Sequence, residues 1–327
     1  MRKLTLSIAV NDYDHVRDLL AGRVQAEGID LVPSVLPVEE IFYRFIKHRE
    51  WDVAEMSFAK YVSLASQGGD GLTAIPVFPS RVFRQSSFYV RAGSGLKRPE
   101  QLRGLRIGVP EWAQTAATYS RGWLTGALGI PLGEVEWVQA GVNAPGRQEK
   151  VELRLPAGVR LVRRADRSLN DLLLSGEIDV AMSARPPQAF TDGRIVRMFD
   201  DPEALERDWF EQTGIFPIMH VIAIRREVFD RHPWIGMNLL NAFTEAKDRS
   251  VERALDITCS HFPLPWVSNA AQRARDLFGG DPWPYGIEPN RRTLQAFVEF
   301  AFEQGVCHRP LAIEELFAEQ VRSRHTV

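Results

Sequence analysis

The stretch Pro79-Ser80-Arg81-Val82-Phe83-Arg84-Gln85-Ser86-Ser87-Phe88-Tyr89-Val90 sets two arginines and several hydroxyls directly before a short apolar run. Aromatic and β-branched residues make Ser87 to Val90 a strand. Read as a crossing between two lobes, this strand places Arg81 and Arg84 at the mouth of a cleft. Arginine suits that position, because its guanidinium is a rigid, permanently charged fork that matches a carboxylate in two places.

The sequence on either side repeats one grammar. Lys3 to Val10 alternates apolar and polar residues, a first strand that runs into Asn11-Asp12-Tyr13-Asp14-His15 and an amphipathic helix near Val16 to Leu20. Gly28 to Val32 begins a second strand. Glu39 to Arg49 is a helix with Ile41, Phe42, Phe45 and Ile46 on one face, and Trp51 to Ala54 is a third strand, ending just before Glu55-Met56-Ser57. Strand, helix, strand is the order of a parallel α/β sheet, whose ligands bind beyond the carboxyl ends of the strands. After Val90 the order restarts. Leu105 to Val109 is a strand, Pro110 to Thr115 opens a helix, and strands follow at Gly133 to Gln139, Val159 to Arg163 and Ile178 to Met182. Glu50-Trp51-Asp52-Val53-Ala54-Glu55-Met56-Ser57 is echoed by Glu177-Ile178-Asp179-Val180-Ala181-Met182-Ser183, which reads as equivalent strands in two similar lobes. Ile218 to Arg225 is a buried strand that returns to the first lobe. Helices at Trp234 to Leu255, Arg291 to Glu303 and Ile313 to Val321 are expected to pack on that lobe. The fold class is therefore α/β, with a lobe of residues 88–217 inserted into a lobe of residues 1–87 and 218–327, two crossover strands and a cleft between.

Composition narrows the function. The 327 residues exceed one ordinary core, and the formal net charge of -2 carries no footprint for nucleic acid or an anionic membrane. No apolar run is long enough to span a bilayer. Leu4 to Val10 alternates and lacks a small-residue cleavage site, so it reads as a strand of a cytoplasmic protein and not a signal peptide. Cys259 and Cys307 match no metal spacing and read as two structural thiols. The basic segment 147–167 reads as a solvated face or an oligomer contact, since acidic residues are interleaved. Phe42 to Phe45 and Phe297 to Phe302 have helical spacing and read as core. His232, His261, His308 and His325 lie near helix ends or the terminus and carry no functional expectation.

The motifs Asp12-Tyr13-Asp14-His15, Glu55-Met56-Ser57, Pro76-Val77-Phe78-Pro79-Ser80-Arg81, Gly108-Val109-Pro110-Glu111, Pro145-Gly146-Arg147-Gln148-Glu149-Lys150, Gly214-Ile215-Phe216-Pro217-Ile218-Met219-His220 and Asp281-Pro282-Trp283-Pro284-Tyr285-Gly286 occur in that order over nearly the whole chain. Their ordered set resembles the 4,5-dihydroxyphthalate decarboxylase family. The order of elements resembles type II periplasmic-binding-protein folds. The resemblance implies a cytoplasmic carboxy-lyase, acting on a small aromatic carboxylate and converting 4,5-dihydroxyphthalate to protocatechuate and carbon dioxide.

That chemistry needs a grip on the carboxylates, a phenol that pushes electrons into the ring, and an acid that protonates the ring carbon. No organic cofactor is expected, because the hydroxylated ring is its own electron sink. His220 is the expected acid/base, with Glu55 and His15 as further catalytic candidates. Arg81 and Arg84 are expected to hold carboxylate, with Arg147 and Arg185 from the inserted lobe. Tyr13 and Asn143 are placed on the ring hydroxyls, Ser57 at the strand end, and Glu111 with Trp112 across the cleft. His15, Glu55 and His220 show no local ligand spacing, so a divalent metal is not expected. Asp281 to Gly286 reads as a packed loop that fixes the C-terminal helices. The same scaffold would also serve a binding protein for an aromatic or dicarboxylic acid, or an enzyme resembling the chorismate dehydratases. An even-numbered homo-oligomer is expected.

Overall fold

A computed structural model describes residues 3–69 and 71–322, so His325 lies outside the described residues. Strand β1 (Leu4–Val10) leads through α1 (Asp14–Leu20), β2 (Ile29–Val35), α2 (Val38–His48), β3 (Val53–Ser57) and α3 (Phe58–Ser66) to β4 (Leu72–Ile75). Next come β5 (Phe88–Arg91), β6 (Arg106–Val109), α4 (Thr115–Gly126), β7 (Glu136–Gly141), β8 (Leu161–Ser168), α5 (Leu169–Ser175), β9 (Val180–Met182), β10 (Ile195–Arg197) and α6 (Pro202–Thr213). Strand β11 (His220–Arg225) and helices α7 (Arg226–Arg231), α8 (Ile235–Leu255), α9 (Val267–Leu277) and α10 (Arg291–Glu303) complete the order.

The strands form two sheets, β2-β1-β3-β11-β4 and β10-β5-β9-β6-β7-β8. In the first, β3 lies between parallel β1 and antiparallel β11. In the second, β9 lies between parallel β6 and antiparallel β5. The Trp51 and Ile178 segments that echo each other in sequence thus supply strands with the same neighbours in both sheets. Both strands are fully buried, so β9 reads as an apolar run and β3 as one interrupted by the buried Glu55.

Local signals explain the elements. Ser168 caps α5 by accepting from the Asp171 N–H at 3.1 Å, and Gly176 closes that helix in the left-handed region. Helix α2 buries Ile41, Phe42 and Phe45 and turns its charged residues outward. The strand expected at Ser87 to Val90 is β5, but it belongs wholly to the second sheet. The crossing is made by residues 76–87. The return crossing is residues 214–219, and the two pair where Arg81 meets Ile218.

Three expectations about the C-terminal region change. Residues 313–321 form two short 3-10 turns, because Phe317 bridges to Ala74 at the edge of β4 and interrupts any helix. Helix α9 was not expected. Helix α10 does not pack on the first lobe alone. Its Phe297 stacks on Phe58 of α3 at 4.7 Å and leans on Tyr119 of α4 at 4.8 Å, so it ties both sheets together. Of the two cysteines, Cys307 is buried as expected but Cys259 is exposed.

The turn after α10 anchors the segment that faces the cleft from the second sheet. Gly305 has φ 71°, and its carbonyl accepts the Arg154 N–H at 2.8 Å. A Cβ there would lie 1.9 Å from the Arg154 carbonyl oxygen. Gly305→Ala is expected to lower the unfolding free energy by at least about 2 kcal/mol, through left-handed strain and a backbone clash. The midpoint of urea unfolding reads this directly.

Candidate active site

Strand β3 carries Glu55 into the protein interior, where it is 0% exposed. The sequence reading put Glu55 just past a strand end; it lies inside the strand instead, paired in register with β11. A buried carboxylate needs partners, and Glu55 has three. Oε2 accepts the Asn11 N–H at 2.9 Å. Oε1 accepts the Tyr13 hydroxyl at 2.6 Å and faces His220 Nδ1 at 2.5 Å. Burial first, and then the adjoining Glu55 carboxylate, push the Tyr13 phenol well above its ordinary range, so it remains a donor. With Nδ1 turned to a carboxylate, the His220 proton at that nitrogen is fixed. Nε2 is then the working nitrogen, and it has no hydrogen-bond partner among the described residues. Phe42 sets the ring orientation by an edge contact at 4.9 Å.

His220 opens into a cleft of about 160 Å³ between the two sheets. Ser57, Lys60, Phe42 and Glu39 line it from the first sheet, and Glu111, Gln114, Thr115, Arg147, Lys150 and Arg185 from the second. Arg84 and Met219 enter from the two crossings. Three polar bridges span the cleft. Ser57 Oγ lies 3.1 Å from Thr115 Oγ1. Lys60 Nζ lies 3.1 Å from Glu111 Oε2. Arg185 is paired with Glu39. Thr115 also opens α4, whose N-cap Gln114 makes no side-chain cap bond, so the positive end of that helix faces the cleft that Gln114, Thr115 and Ala116 line.

Charge in the cleft is lopsided toward cations. Glu111, 1% exposed, is met by Lys60, by Arg147 at 2.6 Å and by Lys150 at 3.7 Å. Burial opposes its ionisation, but these cations outweigh it and hold the Glu111 carboxyl below its ordinary range. Burial pulls the Lys60 ammonium, 5% exposed, below the usual lysine range, against the opposite pull of Glu111. Lys60, Gln114, Thr115 and Lys150 were missed in the sequence. Lys60 is a single cation in the otherwise apolar helix α3, and Lys150 lies in a basic run. Only the assembled cleft, where both meet the buried Glu111, gives either a role.

The two arginines of the opening stretch part company. Arg84 donates Nε to Met219 Sδ at 3.3 Å, and its terminal nitrogens have no hydrogen-bond partner among the described residues. Burial pulls its guanidinium down to about 10, which leaves it charged at neutral pH. It is a desolvated cation facing an anion-sized space. Arg81 is 5% exposed and committed elsewhere. It donates to Asn290 Oδ1 at 2.7 Å, to the Phe216 carbonyl at 2.8 Å and to the Pro284 carbonyl at 3.3 Å, and lies over the Phe216 ring. That geometry staples the two crossings to the Asp281 to Gly286 loop, and none of it faces the cleft. Arg81→Met is expected to lower the unfolding free energy by about 3 kcal/mol, because it orphans these buried acceptors. Chemical denaturation together with the substrate KM separates this from a loss of binding; the KM of the folded fraction should stay near its original value.

Other expected residues also sit behind the cleft. His15 Nε2 faces the Pro79 carbonyl at 2.9 Å and its ring lies between Tyr13 and Trp283. A carbonyl can only accept, so that nitrogen carries a proton, and burial pulls the imidazole below its ordinary range. Neutral His15 thus supports Tyr13 and the first crossing. Tyr13 reaches the cleft only through Glu55 and His220. Asn143 is exposed and ties two loops of the second sheet, accepting the Gln188 N–H at 2.7 Å and donating to the Pro186 carbonyl at 3.3 Å. Trp112 is buried under the Arg121 guanidinium in the core, away from the cleft. The Asp281 to Gly286 loop packs as expected: Asp281 holds Lys247 of α8 at 2.7 Å, and Trp283 donates to the Phe78 carbonyl at 3.0 Å.

Two inserted α/β sheets with an anion-seeking cleft define a periplasmic-binding-protein-like scaffold, here holding a carboxylate–imidazole pair. A putative periplasmic sulfonate-binding protein from Methylobacillus flagellatus KT superposes with a TM-score of 0.56 at 14% identity, over 98% of this chain and 93% of its own. The periplasmic aliphatic sulphonate binding protein of Escherichia coli gives 0.54 at 11% identity, over 98% and 99%. Both share the fold. No protein-family model matches the sequence. A 4,5-dihydroxyphthalate decarboxylase of Comamonas testosteroni is 38% identical over 320 residues, covering 97% of each chain. One from Pseudomonas putida is 39% identical over 214 residues, covering 64% of this chain and 83% of its own. The chain belongs to the 4,5-dihydroxyphthalate decarboxylase family.

Among the described residues no helix is long and apolar enough to cross a membrane.

Proposed function

We propose that this chain decarboxylates 4,5-dihydroxyphthalate to protocatechuate and carbon dioxide in the cleft between residues 88–217 and the two flanking segments 1–87 and 218–327. The observation that carries the reading is the buried Glu55–His220 pair opening into a cationic cleft. A pure solute-binding site has no need of a poised imidazole.

In this reading Arg84 and the first turn of α4 hold the carboxylate that stays. The departing carboxylate sits near His220. The imidazolium Nε2 gives its proton to the ring carbon bearing that carboxylate, while Glu55 steadies the positive charge through Nδ1. The new C–H bond draws its electrons from the ring, fed by the hydroxyl para to it, which becomes a carbonyl as its proton leaves. The ring–carboxylate bond then breaks, its electron pair restores the aromatic ring, and carbon dioxide departs. The carbonyl oxygen regains a proton. Overall one proton is consumed, kept in the product's new C–H bond, and solvent supplies another to restore His220. Lys60 and Glu111, which meet across the cleft, serve the ring hydroxyls. Over-tight binding of the departing carboxylate would stabilise the ground state, so the strongest grip belongs on the other one.

The test is an assay of purified protein with 4,5-dihydroxyphthalate, following protocatechuate by chromatography and binding by calorimetry. Product formation is the expected result. Tight binding without product would replace the enzyme by a binding protein. The cytoplasmic location and the homo-oligomer belong to the same proposal and are read by cell fractionation and sedimentation.

A further inference from the structure

The connection between α8 and α9 gathers a second cluster that shares no residue with the cleft lining. Asp256 ends α8, and Cys259 and His261 follow within the same loop. His261 Nε2 lies 2.9 Å from Asp256 Oδ2 and 3.2 Å from Cys259 Sγ, and that sulfur lies 3.5 Å from Asp256 Oδ2. One ring nitrogen faces both partners. A nucleophilic relay would place thiol and carboxylate on opposite nitrogens of the imidazole. Here three unlike donor atoms converge on one point.

The carboxylate is also aimed. The Thr258 N–H and hydroxyl both bond Asp256 Oδ1, at 2.7 Å and 2.6 Å, which leaves Oδ2 for the cluster. Such outer contacts orient metal ligands. In a tetrahedral zinc site, donor atoms stand about 3.4–3.6 Å apart, from metal–sulfur and metal–nitrogen distances of about 2.3 and 2.1 Å. The observed triangle needs to open by only a few tenths of an ångström. A small cavity lined by Cys259, His261, Phe262 and Trp266 leaves room beside it.

We propose that Asp256, Cys259 and His261 bind one zinc ion, with the fourth position open to water or to a group from another molecule. Sulfur, imidazole and carboxylate donors together select zinc or cobalt over magnesium or calcium. On binding, the Cys259 thiol gives its proton to solvent and a sulfur–metal bond forms; nothing is oxidised or reduced. The ion fastens the loop to the end of α8. One turn earlier in that helix, Arg253 bonds Asp18 at 2.7 Å and Asp14 at 3.1 Å, so the fastened end is the one that holds α1. The two cysteines were expected to be structural thiols with no metal spacing. The ligand set is legible only as Asp-x-x-Cys-x-His, three unlike residues in one exposed loop.

The experiment uses untagged full-length protein freed of metal with a chelator. Zinc titration by calorimetry should give one equivalent, and cobalt should produce a thiolate-to-metal charge-transfer band. Cys259→Ser and His261→Ala should each weaken zinc at least about 100-fold, and Asp256→Asn about 10-fold, with unchanged circular dichroism. No stoichiometric zinc, a cobalt spectrum without the thiolate band, or unaltered affinity in the Cys259 and His261 variants would each overturn the site.

Discussion

His220→Gln should lower kcat by about 10²–10⁴-fold, the usual worth of a positioned general acid, while substrate still binds. The amide can fill much of the imidazole's space and bond Glu55, but it cannot carry and deliver a proton. Glu55→Gln should follow in the same direction, because the amide neither balances an imidazolium nor accepts from Asn11, Tyr13 and His220 together. The two effects should not add, since Glu55 acts through His220. Steady-state kinetics, with calorimetric binding of protocatechuate to each variant, separates kcat from affinity. Near-normal turnover in His220→Gln would move the proton to the Lys60–Glu111 pair. Loss of binding in parallel with turnover would make the dyad structural.

Arg84→Met should raise KM and lower kcat/KM by about 30- to 1000-fold, the cost of about 2–4 kcal/mol for removing one side of a buried charge pair. Arg84→Lys should recover only part of this, since an ammonium lacks the planar fork. Stability should move the other way. Arg84 is a desolvated cation without a carboxylate partner among the described residues, so its removal should leave the unfolding free energy unchanged or higher. Arg81→Met has the opposite signature, lost stability with retained affinity. Running both variants through the same denaturation and kinetic measurements distinguishes an arginine that holds the fold from one that holds a ligand. An Arg84 variant with normal KM would remove that side chain from the carboxylate.

The contrast between these two arginines shows where sequence reading stops. Three residues apart in a Pro/Ser/Gln loop, they have the same chemistry and the same local pattern. What separates them is Asn290 and the Pro284 carbonyl, about two hundred positions away, which claim Arg81. The same holds for His15 and His220. One meets the Pro79 carbonyl behind the site, and the other meets Glu55 across a strand pair.

By itself the sequence determined the two-lobed α/β order and Glu55 with His220 as candidate acid/base residues; it took the strands at Phe88 and Ile218 for the crossings, which the structure places in the segments leading up to them. The order and the candidates rest on periodicity, strand ends and local motifs, which are written in neighbouring residues. Only the tertiary structure decided which cations face the cleft, that Lys60 and Glu111 meet across it, and that α10 joins both sheets. Each of those depends on contacts between segments far apart in the chain, and no local pattern encodes a partner on the opposite sheet.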